Sequence, residues 1–414
     1  MIKSKVISIG DEILIGQVSN SNAFFISREL YSIGIYVKRI ITIPDKEEDL
    51  HEELNDSIAN FNVTVVTGGL GPTHDDKTKP VLVKFFKDEL VEDKKVLEHI
   101  KKIFERRNIK IPESNFEQAL VPRNSKVIWN NNGTAPGLWF EKEDRIVVAL
   151  PGVPFEMIAM MKESVLPMIL EKFKTKIDYV LKSRSLLTTG ISESGLHELI
   201  GDIGEFIGDN KLAFLPSPKG VRLRIDVQSK NEASAKEEIK KLESELNKRA
   251  GKYIYGADDD LLEEIVGELL VKKNLTLSAA ESCTGGLLSS RITDVSGSSR
   301  YYLGGICSYS NDVKMKVLNV KEETIMKYGA VSEQTAKEMA NGVRDILKSD
   351  IGISITGIAG PTGGTDEKPV GLIWIGYSDE NKTFTRKFML GNIRERNKIR
   401  SVQIALEILR KELI

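Results

Sequence analysis

Three short apolar runs, Lys5–Ile9, Ile35–Ile43 and Val63–Val66, alternate with two stretches of helical apolar spacing, Asn22–Ile33 and Glu47–Asn60. This alternation constrains the fold more than any other feature, because it builds βαβ units and a mostly parallel sheet. Ligands of such sheets gather beyond the carboxyl ends of the strands. Gly10 follows the first run there, and the Gly-rich segment Thr67–Thr78 (TGGLGPTHDDKT) follows the third.

The pattern changes twice further on. Residues 174–254 read as a small α+β module, with strands near Tyr179–Leu187 and Val221–Val227 and helices near Glu193–Ile200 and Ala233–Arg249. Its Gly201–Gly204 tetrad has the letters of a nucleic-acid-clamping loop. Glu198, Asp202, Glu205 and Asp209 surround that tetrad with no Lys or Arg, which argues for a spacer or dimerisation role. Residues 255–414 return to an α/β pattern, with Gly256–Asp260 opening the unit. A helical stripe (Leu262, Ile265, Val266, Leu269, Leu270) leads into strands near Leu275–Ala279, Leu303–Ser308, Ile351–Ile355, Leu372–Tyr377 and Thr383–Leu390. Ile399, Val402, Leu406 and Leu409 then line a closing helix. The expected fold class is α/β: two α/β domains, 1–173 and 255–414, joined by the 174–254 module.

Charge and cysteine usage narrow the function. In 414 residues, 59 Lys and Arg balance 60 Asp and Glu. A protein that neutralises many phosphates carries a basic excess, so small-molecule partners are expected and nucleic acid is not. Two cysteines, Cys283 and Cys307, make neither a disulfide framework nor a zinc site. The apolar run Val6–Ile9 is too short for a signal peptide, and no stretch reaches the roughly 20 apolar residues of a membrane span. A cytoplasmic protein is expected.

The N-terminal candidate site is the Thr67–Thr78 loop. Its glycines let backbone amides approach a phosphate. Asp75 and Asp76 follow at once, and Asp11 and Glu12 follow the first run. Oxygen ligands beside a phosphate cradle suit a hard divalent cation. The plainer alternative is a tight Gly-Pro turn before a capped helix.

The C-terminal candidate site is Ala279–Gly286 (AAESCTGG), read as a turn from a strand into a helix. That placement would set Ser282, Cys283 and Thr284 beside helix N-terminal amides able to hold an oxyanion. All four histidines (His51, His74, His99, His197) lie outside the C-terminal domain. A histidine base would have to come from another domain or subunit. A lysine of lowered pKa is the other choice. Lys314 in YSNDVK, with Tyr309 and Asn311 just before it, is the candidate, although a surface lysine is the commoner case. The glycine-rich run Ser354–Gly364 (SITGIAGPTGG) and the arginines Arg394, Arg396 and Arg400 are further candidates for anion binding.

These segments carry a resemblance. GDEILIGQ, TGGLGPTHDD, NNGTAPG at Asn131–Gly137 and LPGVPFEM at Leu150–Met157 resemble the N-terminal, molybdopterin-binding-like domain of CinA proteins. The Asn20–Asn22 run departs from the expected Asp-Thr-Asn. ESCTGG, YSNDVK, GAVSEQTA, SITGIAGPTGG and KPVG resemble the C-terminal CinA domain, the nicotinamide mononucleotide amidohydrolase family. The middle module stands where that family has a KH-like domain. The resemblance implies metal-dependent ADP-ribose hydrolysis in the N-terminal domain and deamidation of nicotinamide mononucleotide in the C-terminal one. It implies Ser282 as nucleophile, Lys314 as base, and Tyr309, Thr356 and Arg394 or Arg396 as substrate or transition-state contacts. Further substrate contacts are implied at Thr284, Gly285, Asn311, Gly357 and Arg400. In the N-terminal domain they are implied at Thr67, Gly68, Gly69, Gly71, Thr73, Gly133 and Thr134, with Asp11, Asp75 and Asp76 around Mg2+ or a transition metal. No cofactor is expected in the C-terminal domain, and a homodimer is expected to be compatible with the middle module.

Overall fold

The computed structural model describes residues 2–73, 76–106 and 108–414. It divides into two compact units, Met1–Lys182 with Gln228–Ala235, and Ser183–Val227 with Lys236–Ile414. Among the described residues no helix is long and apolar enough to cross a membrane.

The first unit opens with β1 (Lys3–Ile9), the short α1 (Asp11–Leu14), α2 (Ser21–Ser32), β2 (Tyr36–Ile43), α3 (Glu47–Asn60) and β3 (Val63–Thr67). Next come α4 (Thr78–Phe86), β4 (Leu90–Glu92), α5 (Lys94–Arg106), α6 (Glu113–Phe116) and β5 (Leu120–Pro122). The unit ends with β6 (Lys126–Ile128), β7 (Gly137–Lys142), β8 (Arg145–Leu150), α7 (Pro154–Met160) and α8 (Leu166–Phe173). Six strands form one sheet in the order β2-β1-β3-β8-β7-β6. The β2-β1-β3-β8 pairs are parallel, and β7 and β6 add antiparallel. One face buries Val6, Val63, Val65 and Val148, and the other Ile7, Val66, Val147 and Ala149. Because β2 and β3 flank β1 on opposite sides, the loops after β1 and β3 meet at the switch point of the sheet.

The middle module contributes β9 (Val180–Thr188), α9 (Glu193–Ile200), α10 (Gly204–Ile207), β10 (Lys211–Ser217), β11 (Gly220–Ser229), α11 (Glu232–Ala250) and β12 (Ile254–Ala257). The sheet order is β10-β11-β9-β12. Gly256 and Ala257 therefore close this sheet, pairing with Leu187 and Leu186, rather than opening the next unit as expected. All four residues of β12 are half-buried, so no alternation of burial marked it as a strand. The Gly201–Gly204 tetrad links α9 to α10, and Arg249 reaches it, donating to the Ile200 carbonyl and pairing with Glu205.

The C-terminal domain runs α12 (Leu262–Lys273), β13 (Leu277–Glu281), α13 (Leu287–Thr293), β14 (Tyr302–Cys307), α14 (Asn311–Lys316), α15 (Glu322–Tyr328) and α16 (Glu333–Leu347). It ends with β15 (Ile351–Gly357), β16 (Leu372–Ser378), β17 (Thr383–Met389) and α17 (Arg394–Leu413). The sheet order is β14-β13-β15-β16-β17, parallel across its first three strands and antiparallel beyond. One face packs Leu277, Ala279, Ile353 and Ile355 against Val266, Leu270, Val402 and Leu406. On the other face Ala280 meets Leu318, Met339 and Val343. Since β14 and β15 flank β13, the turn after β13 also sits at a switch point.

Two glycines let α16 rest on this sheet. A Cβ on Gly376 of β16 would run into the Ala336 carbonyl, and one on Gly352 of β15 into the Ala340 carbonyl, one helical turn on. The Ser354 hydroxyl donates 2.6 Å to the same Ala336 carbonyl. Gly376→Ala is therefore expected to lower stability by about 1–3 kcal/mol through overpacking. A denaturant midpoint for the variant equal to that of the parent would show that α16 lifts away at no cost.

Candidate functional site

Ser282 is the first residue after β13, and its amide donates to Ile355 O at 2.9 Å, which ties the turn to the end of β15. Ser282 is 8 % exposed. Lys314 approaches it from α14, whose N-cap Ser310 accepts from the Val313 amide. Lys314 is 1 % exposed, not a surface lysine. Its Nζ lies 3.0 Å from Ser282 Oγ and donates to Ser308 O at 2.6 Å. Among the described residues no carboxylate pairs with it. Burial therefore pushes its pKa below the ordinary lysine value.

The same burial acts oppositely on the neighbouring thiol. Cys283 is 6 % exposed, and desolvation pushes its pKa up to about 12. At neutral pH it is a protonated thiol and a poor nucleophile. Thr284 is fully buried, and its hydroxyl has no partner among the described residues.

The expected helix N-terminus beside Ser282 is not there. α13 begins only at Leu287, after a turn through Gly285 (φ 61°) and Gly286 (φ 91°). Its first amides are already taken: the buried Glu281 carboxylate accepts from Leu288 N (3.0 Å), Ser289 N (2.9 Å) and Ser289 Oγ (2.7 Å). An oxyanion cannot use those donors. The amides of Cys283 and Thr284 donate to no carbonyl among the described residues and are the alternative that the turn itself offers.

Thr356 lies beside Ser282 at the end of β15, since its neighbour Ile355 pairs with Glu281. Its hydroxyl donates 2.7 Å to Ala330 O. In this structure the proton faces the segment before α16. Gly357 packs on β16, where a Cβ would collide with Ile373. Its lack of a side chain answers to that contact.

Tyr309 stands at the mouth, 64 % exposed. Arg394 donates to the Tyr309 hydroxyl (3.1 Å) and to Gly360 O (2.9 Å). Asn311 is exposed at the start of α14. Arg394, Arg396 and Arg400 do not form the expected cluster. At 3.6 residues per turn, positions 396 and 400 point about 200° and about 240° away from 394 around α17. Arg394 is the one that the structure brings to the mouth.

In the first unit the Thr67–Thr78 loop is tightly organised. The Thr67 hydroxyl accepts from Asn22 Nδ2 and donates to Pro151 O, both at 3.0 Å. Gly68 and Gly69 adopt positive φ, 112° and 66°, and a Cβ on Gly68 would strike Ile9 O. Asp76 accepts from Gly71 N (2.8 Å), Thr73 N (2.9 Å) and Thr73 Oγ1 (2.5 Å). Gly133 lies against the Glu156 carboxylate, and Thr134 accepts from Asn115 at 3.4 Å.

Among the described residues the expected metal ligands do not converge into a preformed site. Asp75 lies outside the described residues. Asp11 and Glu12 are exposed at the start of α1, and both Asp76 oxygens hold the loop. Among the described residues no group of three or more His, Cys, Asp or Glu side chains is placed to hold an ion. As placed, the described donors do not fit a metal.

Comparison with known proteins is consistent with this architecture. Residues 5–171 match the probable molybdopterin binding domain, 183–256 the damage-inducible protein CinA KH domain, and 259–413 the CinA C-terminal domain. A CinA-like protein of Chloroherpeton thalassium is 44% identical over 419 residues, covering 99% of both chains. The chain belongs to the CinA family. A putative competence-damage inducible protein of Thermoanaerobacter pseudethanolicus is 41% identical over 413 residues, covering 100% of this chain and 99% of that one. The crystal structure of competence/damage inducible protein CihA from Agrobacterium tumefaciens is 37% identical, covers 37% of this chain and 93% of that one, and has a TM-score of 0.36.

Two residues of this CinA-family site escaped the sequence reading. Glu281 read as part of a motif, and only its capping contacts show what it does. Lys398 sits one turn beyond Arg394 on α17. A Cβ on Gly285 would lie 3.8 Å from its Nζ. The four-residue spacing was the available signal.

The difference between the two thiols is directly measurable. Iodoacetamide at pH 8 should label exposed Cys307 in the folded protein and spare Cys283 until the domain unfolds. Mass spectrometry of the peptides reads this out, and rapid native labelling of Cys283 would contradict a raised thiol pKa.

Proposed function

We propose that the second unit is an amidohydrolase that converts nicotinamide mononucleotide to nicotinate mononucleotide and ammonia. The observation that carries the reading is the buried Lys314–Ser282 contact, an amine held 3.0 Å from a hydroxyl with no anionic partner among the described residues. The resemblance of its motifs to nicotinamide mononucleotide amidohydrolases supplies the substrate. A neutral Lys314 keeps its hydrogen bond to Ser308 O and turns its lone pair to the Ser282 proton. Ser282 Oγ then attacks the carboxamide carbon. The negative oxygen that forms lies within reach of the Cys283 and Thr284 amides. The Lys314 ammonium returns the proton to the departing nitrogen, and ammonia leaves an ester on Ser282. Water, deprotonated by the same amine, cleaves that ester and regenerates the hydroxyl. Serine–lysine pairing of this kind needs no histidine.

Ser282→Ala and Lys314→Ala should each reduce ammonia release by on the order of 10²–10⁴-fold or more. The double variant should be little worse than either, because the pair acts as one unit. Cys283→Ala should retain substantial activity. The parent's kcat/KM should rise with pH while Lys314 loses its proton and level off above its pKa, which lies below 10.5. An inactive Cys283→Ala beside an active Ser282→Ala would replace this scheme with a thiol mechanism.

For the first unit we propose binding of ADP-ribose, with its pyrophosphate on the Thr67–Thr73 loop. The positive-φ glycines and the Asp76 clasp support this reading. Conversion to AMP and ribose 5-phosphate would require an ion to draw Asp76 away from the loop donors, so added metal and chelator distinguish turnover from binding. Asp76→Ala should weaken ADP-ribose binding by calorimetry about tenfold or more, at least about 1.4 kcal/mol. It should leave ammonia release intact, and equal loss of both in a folded variant would refute independent sites.

A further inference from the structure

We propose that Asn397 is a positioning residue of the C-terminal site: its buried side-chain amide ties Ala359 to Gly391 and so holds Arg394 beside Tyr309. The contact stands on geometry alone, and its consequence for catalysis rests on the deamidase reading.

Three carbonyls just beyond β15 and β17 receive no backbone donor among the described residues: Ala359 O, Gly360 O and Gly391 O. The backbone bonds stop at Ile358 and Leu390, where Gly371 N donates to Ile358 O and Leu390 N to Gly371 O, both at 2.8 Å. Past that point the side chains of α17 take over. Asn397 Nδ2 donates to Ala359 O at 3.0 Å and to Gly391 O at 2.7 Å. Arg394 donates to Gly360 O at 2.9 Å through one terminal nitrogen and to the Tyr309 hydroxyl at 3.1 Å through the other. Residues three apart share a face of a helix, so the amide and the guanidinium hold consecutive carbonyls of one loop. Asn397 is 1 % exposed, and its Oδ1 has no partner among the described residues. A buried amide that uses both hydrogens and leaves its oxygen unmet acts as a donor. A carboxylate in its place would set two acceptors against two carbonyls. Arg394 itself is exposed, and a long exposed side chain samples many rotamers unless its acceptor stays put. By fixing the carbonyl before Gly360 O, Asn397 keeps that acceptor in place.

Asn397→Leu keeps the shape and removes both donors, and Asn397→Ser leaves room for water at the carbonyls should the first variant fail to fold. Each should lower kcat/KM for ammonia release from nicotinamide mononucleotide about tenfold or more. Arg394→Met should lose at least as much. The double variant should match Arg394→Met alone to within about threefold, because Asn397 acts through Arg394. Losses that multiply overturn the positioning role, and so does an unchanged kcat/KM in a folded variant. Phenylglyoxal labelling read by mass spectrometry tests the contact without turnover. Arg394 should react about threefold or more faster in the variants than in the parent, with Arg396 and Arg400 unchanged as internal references. Equal Arg394 rates, or all three arginines accelerated together, refute the contact even if deamidation stands. Selective acceleration of Arg394, with no ammonia released by the parent, keeps the contact and removes the amidase reading.

Discussion

The C-terminal site depends on an amine buried without a counter-charge among the described residues. Among the described residues Lys314 has two acceptors, a carbonyl and a hydroxyl, and neither carries charge. Burying an ammonium in that setting is costly, and releasing its proton is the cheapest response. One dielectric environment thus sorts three adjacent groups. It drives the lysine towards the free base, holds the Cys283 thiol protonated with a pKa of about 12, and leaves the serine hydroxyl as the group whose proton the lysine can take. On the proposed mechanism, the choice of nucleophile follows from burial rather than from intrinsic reactivity, which would favour the thiol.

That burial exists because of how the sheet is threaded. The order β14-β13-β15 places the turn after β13 between two crossovers. α14 follows β14 on the side where Ala280, Leu318 and Met339 pack, so its lysine lies beneath the end of β13. Gly352 and Gly376 let α16 lie directly on the strands, which fixes the segment carrying Ala330 and, through it, Thr356. A site precise to a hydrogen bond is thus held by backbone packing at some distance from it, and loosening α16 would loosen the serine's neighbours first.

Most of the elements were legible because strand and helix periods differ and because Gly marks the ends of strands. Glu47–Asn60 and Glu193–Ile200 coincide with their sequence-based ranges. Less legible was anything decided by tertiary contact. β12 carries no alternation because all its residues are half-buried. The late start of α13 depends on two positive-φ glycines and on Glu281, whose carboxylate turns back to cap the helix. The arginines of α17 read as a cluster in one dimension, but helical rotation separates them. The burial of Lys314 could not be read from NDVKMK, a six-residue helix with lysines at its fourth and sixth positions. Only the strand end beneath it distinguishes buried Lys314 from Lys316, which pairs with Asp312 at the surface.

Both units use an acid in the same way at the switch point of a sheet. Asp76 accepts from two amides and the Thr73 hydroxyl, and Glu281 from two amides and the Ser289 hydroxyl. In sequence each looks like a chemical group, a metal ligand in one case and an unexplained motif residue in the other. In space each is a clasp that holds a glycine-rich turn in one conformation. Glycine turns are entropically expensive to order, and a carboxylate that satisfies three donors meets that cost before any ligand arrives. An ion recruiting Asp76 would have to break those contacts, and an oxyanion at Ser282 cannot borrow the amides that Glu281 holds. What remains for ligands is the backbone that the clasps leave open. In the second unit that is the stretch from Cys283 to Gly286, beginning next to Ser282.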